Sequence, residues 1–446
     1  MPHSTSVSIA LERNAALTRF VELLFDGYPQ TMAVRLGSGQ TVTMGAGKPD
    51  FTLVVQSPAV LSSLALFRNP LRLAEAYFCG EIDIEGDLYR ALGLRKSLMA
   101  GIRTPQHWLS TLMALPRLPQ EEKASDALSG GGNALRRLGH HDAKRRPAKA
   151  IAFHYDVSND FYRTWLDEEM VYSCAYFTSD TDTLLDAQRN KLDHICRKLR
   201  LKQGEQMLDI GCGWGALAIW AARHYGVRVK AITLSQRQYE FATHRVAAEG
   251  LSELVCVEKR DYRDLNVTQE FDKVASVGMF EHVGLSNLGG YFSAVYRMLK
   301  PGGLFLNHGI THDEEGWRAQ LSTRFINRYV FPGGELDTIS NILREMERAQ
   351  WEVWDVEGLR PHYAMTLRHW VSRLEQSHDE AVRYADESTY RIWRLYMAAC
   401  ALHFEEGDVG VYQVLLSKRG AAANVLPLTR RDLYVANNLK IQGVCT

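Results

Sequence analysis

Residues 207–220, MLDIGCGWGALAIW, decide how the carboxyl-terminal two thirds of the chain folds. Met207 to Ile210 is a short apolar run suited to a buried strand, and Ala216 to Trp220 opens a helix. Between them Gly211, Gly213 and Gly215 form a tight turn in which backbone can approach a ligand without Cβ atoms in the way. The spacing satisfies G-x-G-x-x-A, so a nicotinamide dinucleotide and S-adenosylmethionine both qualify as the ligand. A dinucleotide calls for a carboxylate about 20 residues on, at the end of the second strand. Here that strand ends AITLSQRQ, residues 231–238, which offers Thr233, Ser235, Gln236 and Gln238 but no acid. S-adenosylmethionine fits better, because it carries no pyrophosphate to cradle. Asp209 stands ready for its amino group, Thr233 and Gln238 for the ribose side, and Asp261-Tyr262 for hydrogen bonding and stacking to the adenine.

Outward from this turn, strand-like and helix-like segments alternate as in a parallel sheet with crossover helices. The expected strands are QMLDI (206–210), VRVKAIT (227–233), ELVCVEK (253–259), FDKVASVG (271–278), GLFLNHGI (303–310), WEVWDV (351–356) and the late VYQVLLSK (411–418). Helices are expected to start near Ala216, Ser235 and Asn287, with two more over His362 to Ser377 and Asp379 to Phe404. The fold class is therefore α/β: the Rossmann-like seven-stranded sheet of class I S-adenosylmethionine-dependent methyltransferases, joined to a smaller mixed α+β domain.

A chain of 446 residues exceeds one hydrophobic core, so two domains are expected. The boundaries are residues 1–127 for an accessory domain that binds lipid or dimerises, 128–150 for a linker and 151–446 for the catalytic domain. In the first of these, Gly37-Ser38-Gly39 separates two alternating runs like a hairpin, FTLVVQ (51–56) reads as a strand, and PAVLSSLALF (58–67) and PLRLAEAYFCG (70–80) read as amphipathic helices before EIDIEGD (81–87). The linker is rich in glycine and then in Lys and Arg, a composition that suits an anionic membrane surface.

Lys+Arg and Asp+Glu both number 52, so no global field marks a nucleic-acid binder. The seven cysteines are scattered with no C-x-x-C pair, so reduced thiols are expected and no metal site. No apolar run approaches the ~20 residues of a membrane span, and the amino terminus lacks a secretory pattern, so a cytoplasmic protein is expected.

HYDVSNDFY (154–162), YSCAYF (172–177), LDIGCGWG (208–215), TLSQRQ (233–238), RDYRDL (260–265), FDKVASVGMFEHVG (271–284) and INRYVFPGG (326–334) together resemble bacterial cyclopropane fatty acid synthases, and the resemblance spans His154 to Arg419. It implies methyl transfer from S-adenosylmethionine to a cis double bond in the acyl chain of a membrane phospholipid; with the basic linker, an enzyme lying peripherally on the inner face of the membrane is expected, and the accessory domain makes a homodimer a candidate assembly. It adds Tyr172, Ser173, Leu234 and the three turn glycines to the donor-binding set.

It also implies a bound bicarbonate as base, held by positions matching Cys174, Glu281, His308, Ile310 and Tyr363. Glu281 would there share a proton with the anion or orient His308, while backbone at Cys174 and Ile310 completes the pocket. Cys400 matches a cysteine described as an active-site residue of the family. Its helical neighbours Trp393, Tyr396, Met397 and Phe404, however, suggest a packed apolar stripe.

Methyl transfer to an alkene leaves a carbocation, which aromatic faces can stabilise. Tyr155, Phe161, Tyr162, Tyr172, Tyr176, Phe177, Phe280 and Tyr363 are the candidates, most of them expected in the core. Phe177 and Asn307 depart from the usual motif and leave the product open between a cyclopropane and a methyl-branched unsaturated chain. Methylation of a small amine, and a catalytically silent membrane-binding protein, are the more distant alternatives.

Overall fold

A computed structural model describes residues 15, 18–25, 27–37, 39–56, 60, 70–96, 157–316, 334–420 and 426–434. The linker, Tyr155, the 58–67 helix apart from Val60, and most of the INRYVFPGG motif lie outside these residues. The chain forms two compact units: residues 1–142 with 386–399, and residues 143–385 with 400–446.

In the first unit, β1 (Met32–Leu36) and β2 (Thr41–Met44) form the expected hairpin, β3 (Phe51–Val55) pairs parallel to β1, α1 spans Pro70–Phe78, and β4 (Ile82–Gly86) runs antiparallel to β3. The sheet order is β2-β1-β3-β4. The short helix α2 (Leu88–Leu92) follows, its start capped by Asp87. Phe20, Phe25, Val34, Phe51 and Leu53 fill the core. Residues 386–399, which the sequence reading kept with the catalytic domain, belong here. Arg391 pairs with Asp83 at 3.1 Å and donates to the carbonyls of Tyr77 and Ile82.

The second unit is built on seven strands, and each sequence-expected strand forms. In chain order they and their helices are α3 (Asn159–Arg163), α4 (Leu184–Lys198), β5 (Gln206–Ile210), α5 (Ala216–Tyr225), β6 (Arg228–Thr233), α6 (Gln236–Ala248), β7 (Val255–Lys259), β8 (Phe271–Val277), α7 (Leu288–Met298), β9 (Leu299–His312), α8 (Ile339–Arg348), β10 (Trp351–Gly358), α9 (Arg360–Gln376), α10 (His378–Tyr384), α11 (Glu387–Glu406), of which the second unit takes only the part from Cys400, and β11 (Val409–Lys418). The sheet order is β10-β11-β9-β8-β5-β6-β7, and β11 alone runs antiparallel to its neighbours.

Period-two alternation on β5 divides the core. Met207 packs with Leu192, Ile195 and Ala218 on one face, while Leu208 and Ile210 pack with Tyr291, Phe292 and Met346 on the other. Each such side chain contributes about 1.5–3 kcal/mol when fully buried. The chain leaves β5 for β6 on one side and returns to β8 on the other, so the crevice outside the carboxyl ends of these strands is a topological switch point.

The helix expected over Asp379 to Phe404 is two helices. The backbone turns at Ala385 (φ −130°, ψ −111°), and Asp386 Oδ1 accepts from Thr389 N–H at 2.6 Å. An aspartate before Glu387-Ser388-Thr389 is a helix-start signal, and the apolar periodicity hid it.

Candidate active site

The crevice holds a cavity of about 380 Å³. Asp209, Gly211 and Gly213 enter it from the end of β5, Thr233 and Leu234 from β6, Gln238 from α6, Asp261 and Tyr262 from β7, and Tyr172 and Ser173 from the segment before α4. Gly215 does not line it. That glycine starts α5 at φ +89°, where a Cβ would also press on Ala242 at 3.1 Å, so its role is to turn the chain and let α6 approach. Gly211 and Cys212 donate to the Ile232 carbonyl, which anchors the turn to β6. Thr233 Oγ1 donates to Gln238 Oε1 at 2.8 Å. Asp261 caps the turn after β7 and is paired with Arg263 at 2.6 Å. Burial raises its carboxyl, but the hydrogen bonds and charge from Arg263 outweigh that and hold it low. Tyr262 meets Tyr291 edge-on at 5.2 Å.

The sequence reading missed Lys191, which also lines the cavity. It is buried on α4, its Nζ donates to Ser173 Oγ at 2.7 Å, and no carboxylate among the described residues pairs with it. Burial lowers it to about 8, against the attraction of Cys174, Asp167 and Asp209. Asp209 is its counterpart: burial raises its carboxyl to about 7 and Oδ2 has no hydrogen-bond partner. The signal for Lys191 was present in the sequence. Leu184, Ala187, Gln188, Lys191, Leu192, Ile195 and Lys198 occupy one helical face, and two of these core positions carry a charge.

Glu281 sits in a one-turn helix directly after β8, between Met279 and His282, both of which line the cavity. It is buried; Oε1 accepts from Ile310 N–H at 2.7 Å and Oε2 has no partner. Burial raises its carboxyl to about 7, opposed by the Ile310 N–H. His308 on β9 is likewise buried, with Nδ1 3.2 Å from Gln413 Nε2 and Nε2 without a partner.

A Cβ on Gly309 would overlap the Phe280 ring and come within 2.9 Å of Glu281 Oε1. Glu281 therefore lies against Gly309 and Ile310, the two residues that follow His308 on β9. The expectation that Glu281 orients His308 is corrected: Gln413 holds the imidazole, and Glu281 holds the backbone of Ile310.

The remaining residues are placed as follows. Cys174 is buried, its thiol directed at the carbonyls of Ala175 and Leu359, and burial pushes it far above the ordinary thiol range. Tyr363, in the first turn of α9, packs on Phe404 at 4.7 Å and edge-on to Trp370 at 6.0 Å. Cys400 is partly buried on α11, one turn before Phe404. Of the aromatic candidates among the described residues, only Tyr172 lines the donor cavity. Phe161, Tyr162 and Phe280 are core residues, Tyr176 is stacked between His194 and His362, and Phe177 stacks on His369.

This architecture matches known proteins. The family described as mycolic acid cyclopropane synthetase matches residues 142–414. The chain belongs to that family. A probable fatty acid methyltransferase of Pseudomonas putida is 41% identical over 406 residues, covering 90% of this chain and 96% of the relative. The cyclopropane-fatty-acyl-phospholipid synthase of Escherichia coli K12 is 38% identical over 302 residues, 68% of this chain and 75% of that protein.

Among solved structures, the mycolic acid cyclopropane synthase CmaA1 complexed with SAH and CTAB is 33% identical with a TM-score of 0.57, covering 61% of this chain and 98% of the other. The fold is thus that of class I methyltransferases, and the protein is an S-adenosylmethionine-dependent methyltransferase of the cyclopropane synthase family. No helix among the described residues is long and apolar enough to cross a membrane.

Proposed function

We propose that this enzyme transfers the methyl group of S-adenosylmethionine to the cis double bond of an unsaturated acyl chain in membrane phospholipid, closes a cyclopropane ring and releases S-adenosylhomocysteine. The observation that carries the reading is the pair Glu281 and His308, buried beside the donor cavity with one polar atom each, Oε2 and Nε2, left without a partner. The residues fit the donor itself: Asp209 and Lys191 are buried, opposite charges in one wall, and the methionyl end of S-adenosylmethionine carries the complementary ammonium and carboxylate. The turn glycines bring backbone against it, and Tyr262 offers an aromatic face.

An isolated alkene is a weak nucleophile, so alignment and exclusion of water must supply much of the rate. The alkene's π electrons form the bond to the donor methyl as the sulfonium bond breaks, leaving a carbocation on the acyl chain. Loss of a proton from the added methyl lets that C–H electron pair close the ring, and the proton passes to a base. Bicarbonate, when bound, would be that base, and the free Oε2 of Glu281 and Nε2 of His308 are the buried groups that fit it. The Lys- and Arg-rich stretch 128–150 would hold the enzyme against an anionic leaflet on the cytoplasmic side, and the amino-terminal unit would meet lipid or a second copy of the chain.

A second reading keeps the same donor and acceptor but loses the proton from the acyl chain, giving a methyl-branched unsaturated product. The match along nearly the whole length to a probable fatty acid methyltransferase favours it. Incubation with unsaturated phospholipid vesicles and S-adenosylmethionine tests both: acyl chains should gain the mass of one CH₂, and NMR then separates ring methylene from branched alkene. Absence of the mass gain removes both readings.

A further inference from the structure

His308 on β9 lies directly opposite Gln413 on β11, and Gln413 lies directly opposite Glu357 on β10. Directly opposed residues of antiparallel strands share a face, so three polar side chains form a row across three strands of a largely apolar sheet. Gln413 is fully buried and its amide sits 3.2 Å from His308 Nδ1. Beyond it, Glu357 Oε2 takes His194 Nε2 at 2.7 Å and Lys198 Nζ at 2.6 Å, both from α4, and Lys198 also reaches Asp355 at 3.0 Å. Leaving polar groups half-satisfied inside a sheet is destabilising, so such a row calls for an explanation.

We propose that Gln413 is a positioning residue for the reaction: its amide donates to His308 Nδ1, which fixes the ring and places the proton on Nε2, the buried atom left without a partner. The inference rests on the base-site reading above and deepens it. A neutral imidazole presenting Nε2–H is a hydrogen-bond donor suited to an anionic base, whereas the other tautomer would oppose it with a lone pair. The surroundings keep the ring neutral, so the tautomer is the variable. Burial comes first, then the charges of Lys191 and Lys198, with Glu357 opposing and His194 adding to them; together they lower His308 to about 3. Glu357, itself held as a carboxylate by His194 and Lys198, anchors the far end of the row.

Full-length protein labelled with ¹⁵N-histidine reports the tautomer directly, with the His308 signal assigned by its loss in His308→Gln. The wild type should show a neutral ring protonated on Nε2. Gln413→Leu should give mixed tautomers and lower kcat at least about tenfold, with donor affinity and the KM for phospholipid vesicles within twofold. Gln413→Glu, nearly isosteric and able only to accept, should move the proton to Nδ1. A wild-type His308 protonated on Nδ1, or a Gln413→Leu enzyme with unaltered kcat, overturns the proposal. Wild-type turnover in His308→Gln would instead remove the base-site reading and leave the tautomer result standing.

Discussion

The donor cavity and the acceptor-side residues are built by different means. Asp209, Gly211, Gly213, Thr233, Leu234, Asp261 and Tyr262 of the donor wall stand at or just after the end of a strand, so their positions follow from local segments once the strands are found, and Tyr172, Ser173, Lys191 and Gln238 join them from helices and the segment before α4. On the acceptor side, Glu281 and His308 come from neighbouring parallel strands, and Gln413 arrives from a strand more than a hundred residues later that runs the other way. In the proposed reading the first region would bind through charge and backbone gathered at successive strand ends and on α4. The second depends on register, because a slip of one residue on β9 would exchange the faces of His308 and Gly309.

The comparison breaks most sharply if the two regions cannot be damaged separately. Glu281→Gln and His308→Ala should each lower turnover about 10²–10⁴-fold, the span general acid–base groups contribute. Neither residue lines the donor cavity, so calorimetric affinity for S-adenosylmethionine should stay within a few-fold. A parallel loss of donor binding would mean that the regions are one.

Lys191→Met strikes the donor side alone. A hydrogen bond to a charged group contributes about 1.5–3 kcal/mol, so affinity should fall about 10- to 100-fold. A decarboxylated donor analogue should bind the wild type and the variant alike, because the group that Lys191 meets is missing. If the variant still prefers the intact donor by the wild-type factor, Lys191 does not meet its carboxylate.

How much of this was legible in the sequence follows the same division. All seven strands, the hairpin and the strand-end residues Asp209, Thr233, Asp261 and Tyr262 rest on periodicity and turn chemistry within a few residues, and these were readable, whereas Tyr172, Ser173 and Leu234 came from the family resemblance. Lys191 escaped because the segment 184–198 carries none of the motifs that drew attention, although its apolar helical face is interrupted by two lysines. Gln413 carried no local signal, since its meaning lies in pairing with His308 and Glu357, and register between distant strands is not written in either one. Asp386 was overlooked because a continuous apolar stripe runs past the break it caps. The family resemblance supplied Glu281, His308 and Tyr363, whereas the division of labour on β9, with Gln413 and not Glu281 holding the histidine, came only from the fold.

Asp209 offers a smaller effect with a definite sign. Burial raises its carboxyl to about 7, so the free protein progressively protonates it below that pH and loses the negative charge proposed to meet the donor's ammonium. Donor affinity should therefore fall on the acid side of about pH 7, by up to about tenfold per pH unit where one proton is linked. In Asp209→Asn the affinity should be weaker and this acid limb flat. An unchanged limb in that variant would assign the titration elsewhere.

Cys400 tests how far the chemistry extends. Methylation of an alkene needs no thiolate attack at any step, and proton removal is assigned to the groups at Glu281 and His308. The cysteine recurs at helical spacing with Trp393, Tyr396, Met397 and Phe404, each nearly buried, and Phe404 one turn on carries the Tyr363 ring. A thiol there is a small apolar filler whose loss is felt through packing, in the manner of other core substitutions that keep volume. Cys400→Ser should therefore lower turnover less than about threefold and shift melting by a few degrees at most. The thiol becomes part of the reaction if turnover instead drops about a hundredfold or more while donor affinity and melting hold, a loss on the scale of a general acid or base. In that event α11 would join the β9 face as a second source of groups assembled from distant parts of the chain.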